Sequence, residues 1–464
     1  MSRLVRGSAF ALTLSLATPA AAFDVRIDSD TSFQVYEVRS PGARAFMARR
    51  RLLSHLALTV GQDLTERRDD GTAIRFAAGA QLRLEQEFGE TCLVDRDLCV
   101  RATDAEDPGA WQPLAADTRL DVPAVWAEIS GLPLGTSARV GRQLVLDALG
   151  FARFDGASAR VMPASWIRVE ALAGWLVRGT TIAGTARSDP QGALRLASAV
   201  DVPWAEPGVD SWVAGASVAG GPGRALQASA TFRHAWEPGG AVISRLGGAL
   251  SSQPLSWLRL DAVGVWDFLT AELIEASART SLGDGPLRVH AGASRHVPRF
   301  DPGTIWAWFA VAPIAQAELS VDWTVTADFA MGGALRGRHA ELGDRQTDDL
   351  DGGLDGWVRG RWEGFELSVS GFGWSGALGP LAGVSLDVRR RFFGFIEIAL
   401  DVSVWHFDDP NRADLYGAVV SEVLEARFRV TNEVLVVAEV QHAASRVIGH
   451  RFRGVLALRV ETWR

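Results

Sequence analysis

The sequence contains no lysine and very little cysteine, tyrosine or methionine. All 47 basic residues among the 464 are arginine, beside 2 Cys, 2 Tyr and 4 Met. Without lysine there can be no Walker A phosphate loop, no Schiff-base lysine and no lysine general base. The net charge of −8 argues against a nucleic-acid partner, because proteins that bind nucleic acid carry basic surfaces.

Long apolar runs are also missing. Beyond residue 22 no stretch of about 18 apolar residues occurs, and the best candidate, Ile305 to Ala317, is interrupted by Pro313. The sequence therefore predicts no membrane-spanning helix, and the chain is either soluble in the periplasm or inserted as a barrel. Since the H-E-x-x-H and G-x-S-x-G motifs are absent as well, we predict no enzyme activity, metal or cofactor.

The N-terminus has the three parts of a signal peptide. Arg3 and Arg6 form a basic region, residues 9–17 form a short apolar core, and Ala20-Ala21-Ala22 offers a cleavage site. We therefore expect residues 1–22 to be removed on export and residues 23–464 to form the mature domain.

The two cysteines, Cys92 and Cys99, lie in a polar stretch of the chain. In an exported protein such a pair predicts a disulfide within one loop. A metal site is the weaker alternative, since no histidine or second cysteine pair lies nearby.

Alternation of apolar and polar residues runs through the whole chain. In 395–406, Ile396, Ile398 and Leu400 point one way while Glu397 and Asp401 point the other. Segments of about ten residues with this period, each having its own charged face, are typical of strands with lipid outside and water inside. Tryptophans near segment ends suit a girdle at the membrane surface, namely Trp166, Trp236, Trp257, Trp374, Trp405 and Trp463.

The connections between these segments alternate in length. Short turns such as 131–136, 220–224 and 283–286 alternate with long polar stretches such as 89–118 and 179–211. Short periplasmic turns and long extracellular loops are the arrangement of outer-membrane barrels. We therefore predict an all-β fold, a single antiparallel transmembrane β-barrel with an even number of about 18–22 strands, in the outer membrane of a Gram-negative bacterium.

One run of residues resembles a known family. Trp126-Ala127-Glu128, the turn at Gly131-Leu132, Val140-Gly141-Arg142-Gln143 and Phe154-Asp155-Gly156 resemble a run in alginate-export-type porins and related outer-membrane porins. The layout is also similar to myxobacterial barrels proposed for exopolysaccharide export. This resemblance implies a monomeric barrel of roughly 16–18 strands with an arginine-rich pore. The chain departs from such barrels at its end, where Trp463 is followed by Arg464.

Charged residues on the non-lipid faces are the candidates for lining a pore. They are Arg139, Arg168, Arg259, Arg453, Arg459, Glu170, Asp261, Asp267, Glu397, Asp401 and Glu461. Guanidinium groups could bind carboxylates or phosphates, although facing charges could equally neutralise one another across strands. Arg142 shares its face with apolar neighbours and could be interfacial. The loop 298–313 offers aromatic candidates for a constriction or for packing on the rim, namely Phe300, Trp306, Trp308 and Phe309.

The sequence thus predicts an outer-membrane pore, and three functions stay open. The first is export of a surface polysaccharide, expected to be anionic, with the help of a periplasmic export complex. The second is a general or solute-selective diffusion porin. The third is a structural barrel with a plugged lumen. The expected partners are outer-membrane lipid and a passing polysaccharide or small solute.

Overall fold

The computed structural model describes most of the chain after residue 22. The described ranges are 23–39, 45–65, 73–88, 93–95, 98–100, 118–177, 211–223, 225–297, 313–341, 350–376, 379–408, 416–445 and 449–463, with the backbone alone at 37–39, 45–49, 87, 93–95, 98–100, 118–119 and 463. The predicted signal peptide, Cys92 and the aromatic loop 298–312 lie outside these ranges, so the disulfide and the loop constriction remain predictions.

The described chain is almost entirely β-strand. The strands are β1 (Asp24–Arg39), β2 (Ala45–Asp63), β3 (Arg75–Glu87), β4 (Leu93–Asp95), β5 (Leu98–Val100), β6 (Thr118–Leu132), β7 (Thr136–Asp147), β8 (Gly150–Ala164), β9 (Ile167–Leu176), β10 (Trp212–Gly220), β11 (Leu226–Glu237) and β12 (Gly240–Leu255). They continue with β13 (Leu258–Asp267), β14 (Glu272–Leu282), β15 (Leu287–His296), β16 (Ile314–Thr326), β17 (Phe329–Ala340), β18 (Leu350–Trp362), β19 (Phe365–Ser375), β20 (Leu381–Phe392), β21 (Ile396–Asp408), β22 (Tyr416–Arg429), β23 (Val434–Ser445) and β24 (Gly449–Trp463). A single 3-10 turn spans Pro133–Gly135, and no helix among the described residues could cross a membrane.

The sheet closes on itself. Each long strand pairs antiparallel with the next, β3 pairs directly with β6, and β1 pairs with both β2 and β24. The short strands β4 and β5 form a hairpin that pairs with the first residues of β2. They are not part of the closed ring of strands. The remaining 22 strands of the described chain form one closed antiparallel barrel. The predicted fold class and even strand number are confirmed, and the count exceeds the roughly 16–18 strands that the porin resemblance implies.

Two ends of the barrel differ in their connections. At one end, here the short-turn end, the links are brief, as at 133–135, 165–166, 256–257, 327–328 and 363–364. At the other, the long-loop end, the chain runs through 88–117, 177–211 and 297–313 between strands. The predicted alternation holds except that 148–149, 238–239 and 268–271 are tight turns at the long-loop end and that the link 64–74 at the short-turn end is long.

The two faces of the barrel wall differ in polarity. On the outer face large apolar side chains follow one another across strands, as at Leu319, Leu335 and Leu354, and Leu335 is 63% exposed. Next to them on the inner face lie Glu318, Arg336 and their ion pair. An apolar face without a covering layer is stable only against lipid. The chain is therefore an outer-membrane barrel whose polar face lines the lumen.

Tryptophans mark the two boundaries of the apolar band. Trp166 projects at the short-turn end, while Trp175, Trp212 and Trp236 form a row toward the long-loop end, with the first two ring centroids 4.3 Å apart. Nine residues separate Trp166 from Trp175, about 30 Å along the strand at about 3.3 Å per residue, or about 23 Å of height at a tilt of about 40°. This height matches the apolar band of roughly 25 Å in such barrels.

A charge on the outer face should be much more costly than one on the inner face. We expect Leu335→Arg to lower the free energy of unfolding from lipid vesicles by about 2–4 kcal/mol, as for arginine near the bilayer midplane. The control is Ser320→Arg, on the inner face of the neighbouring strand. Urea titrations of vesicle-inserted protein measure both. Equal losses for the two variants would show that the faces are assigned wrongly.

Candidate functional site: the inner wall and the inward hairpin

Ion pairs cover much of the inner wall, and the charged candidates from the sequence all lie on it. Arg139 binds Glu128 across β6 and β7 and also stacks over the Trp126 ring at 4.3 Å. On β9, Glu170 accepts from Arg160 of β8 at 2.6 Å while Arg168 lies 3.4 Å from the same carboxylate. Two guanidinium groups thus share one acid here, and Arg168 is 53% exposed toward the lumen.

The candidates on β13 form pairs at both levels of the barrel. Near the short-turn end Arg259 lies 2.8 Å from Asp261, which also accepts from Ser251. Near the long-loop end Asp267 accepts from Arg245 of β12 at 3.0 Å. The cross-strand pair of Arg245 and Asp267 stabilises the wall by a few tenths to about 1 kcal/mol.

The remaining candidates lie on β21 and β24. Glu397 has three arginines around it, the nearest being Arg391 at 3.1 Å. Arg391 is 63% exposed, so water reaches this part of the wall. Asp401 faces Asp387 in register and has no ion pair within the described chain. Arg459 lies 2.8 Å from Asp30 of β1, next to Glu461, which binds Arg26 at 3.1 Å.

A row of glycines bends the wall at β7, β8 and β9. Gly141, Gly156 and Gly174 are register partners, so they lie side by side across the three strands. A Cβ at any of them would lie well inside 3.0 Å of a backbone oxygen on the adjacent strand, and Gly141 has a φ of +114°. Only glycine permits so close an approach and such a backbone angle.

The motif Val140-Gly141-Arg142-Gln143 stabilises this bend. The buried amide of Gln143 donates to the carbonyls of Arg139 and Gly156 at 3.2 and 3.1 Å, and accepts from Ser158. Arg142 makes a two-pronged pair with Asp155 at 2.7 and 2.8 Å. Arg142 has outer-face parity, as the sequence suggested, and lies level with the Trp175 row at the membrane boundary.

Beyond the bend, the tip of β7 and β8 leaves the wall and folds into the lumen. We call residues 142–155 the inward hairpin. Arg139 and Arg233 lie on one row of register partners, four strands and therefore about 19 Å apart. Asp147 follows Arg139 by eight residues along β7, which is about 26 Å toward the long-loop end. Along an unbent wall Asp147 and Arg233 would be about 32 Å apart, yet their side chains are 2.7 Å apart.

Apolar contacts fix the inward hairpin against the adjoining wall. Leu149, at its tip, packs on Val265, Ile274 and Val297, and it lies 2.7 Å from where a Cβ of Gly247 would stand. Underneath, Phe154 is fully buried in a cluster with Val213 and Ala235 of β10 and β11. The hairpin therefore covers the inner face of β9 to β14 near the long-loop end and narrows the lumen.

A largely buried ion pair accompanies these apolar contacts. Arg233 is only 4% exposed and donates to Asp147 and to the carbonyl of Gly150. The second oxygen of Asp147 accepts from the amide of Leu149. Below the hairpin a pocket of about 400 Å³ opens between β6 and β11, with Arg139, Arg160 and Arg168 among its lining residues.

Aromatic side chains form a second feature of the inner wall, on β18 and β19. Ring atoms of Trp357, Trp374 and Phe372 lie 2.5–2.9 Å from where a Cβ of Gly332, Gly353 and Gly383 on neighbouring strands would stand. Arg359 and Arg338 lie over the two indoles, at 5.0 and 4.9 Å from the ring centroids. We call these three rings the aromatic strip.

The sequence assigned two of these tryptophans wrongly. Trp374 and Trp405 were expected in the membrane girdle, but register places both on the inner face, opposite Gly353 and Gly383. The available signal was parity, because Trp405 shares its face with Asp401 and Ser403. Three others are exposed as expected: Trp236 lies on the outer face of β11, and Trp166 and Trp257 lie in short turns.

Among known proteins, similarity to this chain is found with solved structures. No protein-family model and no curated protein matches the chain. Among solved structures, the P pilus usher PapC translocation pore is similar at 9% identity over 94% of this chain and 99% of its own, with a TM-score of 0.47. OccAB4 of Acinetobacter baumannii matches at 8% identity, 95% and 98% coverage and a TM-score of 0.43. OccK1 (OpdK) of Pseudomonas aeruginosa matches at 10% identity, 95% and 99% coverage and 0.40. The barrel assignment stands on the closed register of the chain itself.

Proposed function

We propose that this barrel is an outer-membrane channel for an anionic polysaccharide, passing from the short-turn end to the long-loop end. The observation that carries the proposal is the aromatic strip beside Arg338 and Arg359 on the inner wall. Flat aromatic faces suit the apolar faces of sugar rings, and guanidinium groups suit carboxylates or phosphates. A sugar ring that stacks on Trp357 or Trp374 would displace the guanidinium lying over that indole, and the displaced arginine would then bind the acid group of the same sugar.

The charge pattern supports passage of an anion rather than its tight capture. Most arginines of the inner wall have a carboxylate partner, as Arg336 does with Glu318 and Asp355 at 2.8 Å each. Paired guanidinium groups attract a polymer weakly and at many places, so the polymer can leave as well as enter. No nucleotide site is expected, so export would be driven by a periplasmic partner at the short-turn end.

A second candidate is a diffusion porin for small solutes. The inward hairpin favours it, because a constriction at one level selects by size. A structural barrel is the third candidate, since the hairpin packs on the wall through a fully buried cluster. These three functions differ in what passes through the purified protein.

Conductance of the refolded protein in a planar bilayer tests the proposal directly. We expect stepwise conductance that polygalacturonate blocks and that a neutral dextran of equal length blocks less. Conductance insensitive to the polyuronate would identify a diffusion porin. A heat-modifiable barrel without conductance would identify the plugged barrel.

Removing the aromatic strip should weaken the block by the polymer. For Trp357→Ala with Trp374→Ala we expect the blocking concentration of polygalacturonate to rise about tenfold, since two stacking contacts contribute about 1–3 kcal/mol together. The matched control is Trp362→Ala, at the outer face of the same strand as Trp357. An unchanged block in the double variant would exclude the strip as a sugar contact.

A further inference from the structure

A cluster of arginines lies on the inner wall where β24 meets β1 and β2. Arg453 of β24 is the register partner of Tyr36 of β1, and Arg451 lies two residues earlier on the same face. From β2, Arg51 donates to the hydroxyl of Tyr36 at 3.1 Å. We call Arg51, Arg451 and Arg453 the arginine cluster. It lies toward the long-loop end, because β24 begins at Gly449.

Among the described side chains, the carboxylates around this cluster do not balance its charge. Arg51 pairs with Glu85 of β3, which also lies 3.8 Å from Arg83. Glu439 of β23 accepts from Gln441 instead. Within the described chain, Arg451 and Arg453 have neither a hydrogen bond nor an ion pair.

The Nε atoms of the cluster are shielded from solvent without being bonded. Those of Arg51, Arg451 and Arg453 are all buried and have no hydrogen-bond partner among the residues that the structure describes. A buried, unbonded donor on a charged group is unfavourable, and three guanidinium groups on adjoining strands repel one another. Elsewhere on the same strand the wall avoids this, since Arg459 binds Asp30 at 2.8 Å.

We propose that the arginine cluster binds an oxyanion, a carboxylate or phosphate group of a ligand in the lumen. A guanidinium group presents a planar pair of N–H donors that matches the two oxygens of such a group. Arg451 and Arg453 would each donate to the oxyanion, and the Tyr36 hydroxyl, which accepts from Arg51, would donate its own hydrogen. The inference rests on the proposed function and adds a defined oxyanion site near the exit.

The site differs from the ion-paired parts of the wall. Paired arginines such as Arg139 and Arg338 already bind Glu128 and Asp351, so an incoming anion must compete with a protein carboxylate. At Arg451 and Arg453 no such competition exists within the described chain. We therefore expect the strongest oxyanion binding of the inner wall at this cluster.

Binding to the purified full chain in detergent micelles tests the inference without requiring conductance. Isothermal titration calorimetry would use trigalacturonate, inorganic phosphate and, as the neutral probe, maltotriose. We expect Arg451→Gln with Arg453→Gln to lower the affinity for the oxyanion at least about tenfold, because a charge-assisted hydrogen bond is lost at each position. Arg459→Gln, on the same strand and face, should leave the affinity unchanged.

The outcomes separate this site from the proposed function. Loss of trigalacturonate binding in the double variant assigns the site to uronates, and loss of phosphate binding assigns it to phosphate groups. Equal affinities of wild type and double variant, or no oxyanion binding by wild type, would overturn the inference while leaving polymer block in bilayers intact. Binding at the cluster by a protein that never conducts would instead overturn the channel. Heat-modifiable migration of each variant confirms that it is folded, and Tyr36→Phe offers a milder variant expected to weaken binding severalfold.

Discussion

Replacing Leu149 by aspartate should release the inward hairpin and raise the single-channel conductance. The substitution removes a leucine from the cluster of Val265, Ile274 and Val297 and would bury a charge there. Together these effects destabilise the docked hairpin by roughly 4 kcal/mol, close to a thousandfold in the ratio of docked to undocked forms. Planar-bilayer recordings of wild type and variant measure the change.

The hairpin supplies its own control. Leu146 lies three residues earlier but is 80% exposed, so Leu146→Asp should leave the conductance at the wild-type value. A second route to the same state is Arg233→Met, which leaves Asp147 without its buried partner. If Leu149→Asp conducts like wild type, the hairpin does not limit the pore, and the constriction must lie elsewhere.

Replacing Gly156 by valine should prevent normal assembly of the barrel. Its Cβ would collide with the backbone of Ala173 and Gly174 on β9, neither of which can move without breaking the sheet. We expect a loss of more than about 3 kcal/mol of folding free energy. Heat-modifiable migration and urea titration of refolded protein would report it.

The matched control is Gly337→Val on β17. A Cβ there meets nothing within 4 Å, and the residue lies on the outer face. We expect this variant to fold as the wild type does. Normal folding of Gly156→Val would mean that the bend at β7 to β9 does not depend on the glycine row.

Alternation along each strand was enough to predict the barrel and the polarity of its faces. Ile398 and Leu400 are exposed on the outer face while Glu397 lies among inner-face arginines, as the segment 395–406 predicted. The reason is local, because successive side chains of a strand point to opposite faces whatever surrounds them. That the charged candidates line a conducting pore remains a proposal.

Partners across strands could not be predicted in the same way. Trp374 was placed in the girdle because it lies near a strand end, but its register with Gly353 turns it into the lumen. The arginine cluster likewise joins residues about 400 positions apart, Arg51 and Arg453, which only closure of β1 onto β24 brings together. Register depends on contacts between strands, and a single sequence does not contain them.

The motif that resembles a known family predicted a hairpin correctly but did not predict the direction in which that hairpin bends. Val140-Gly141-Arg142-Gln143 and Phe154-Asp155-Gly156 were identifiable as a hairpin of a porin-like barrel. Their function in the structure is to bend that hairpin inward, which the motif alone does not state. The bend requires Gly174 on a third strand and apolar side chains on β13 and β14 against which Leu149 packs.

By itself, the sequence determined that this chain crosses the outer membrane as an antiparallel barrel with a charged inner face, because those properties follow from the period of side chains and the lengths of turns. The tertiary structure decided the strand number, the direction of the inward hairpin and the grouping of arginines and aromatic rings on the wall. Each of these depends on which strands become neighbours and on how the closed sheet bends, and both are set by packing between residues far apart in the chain.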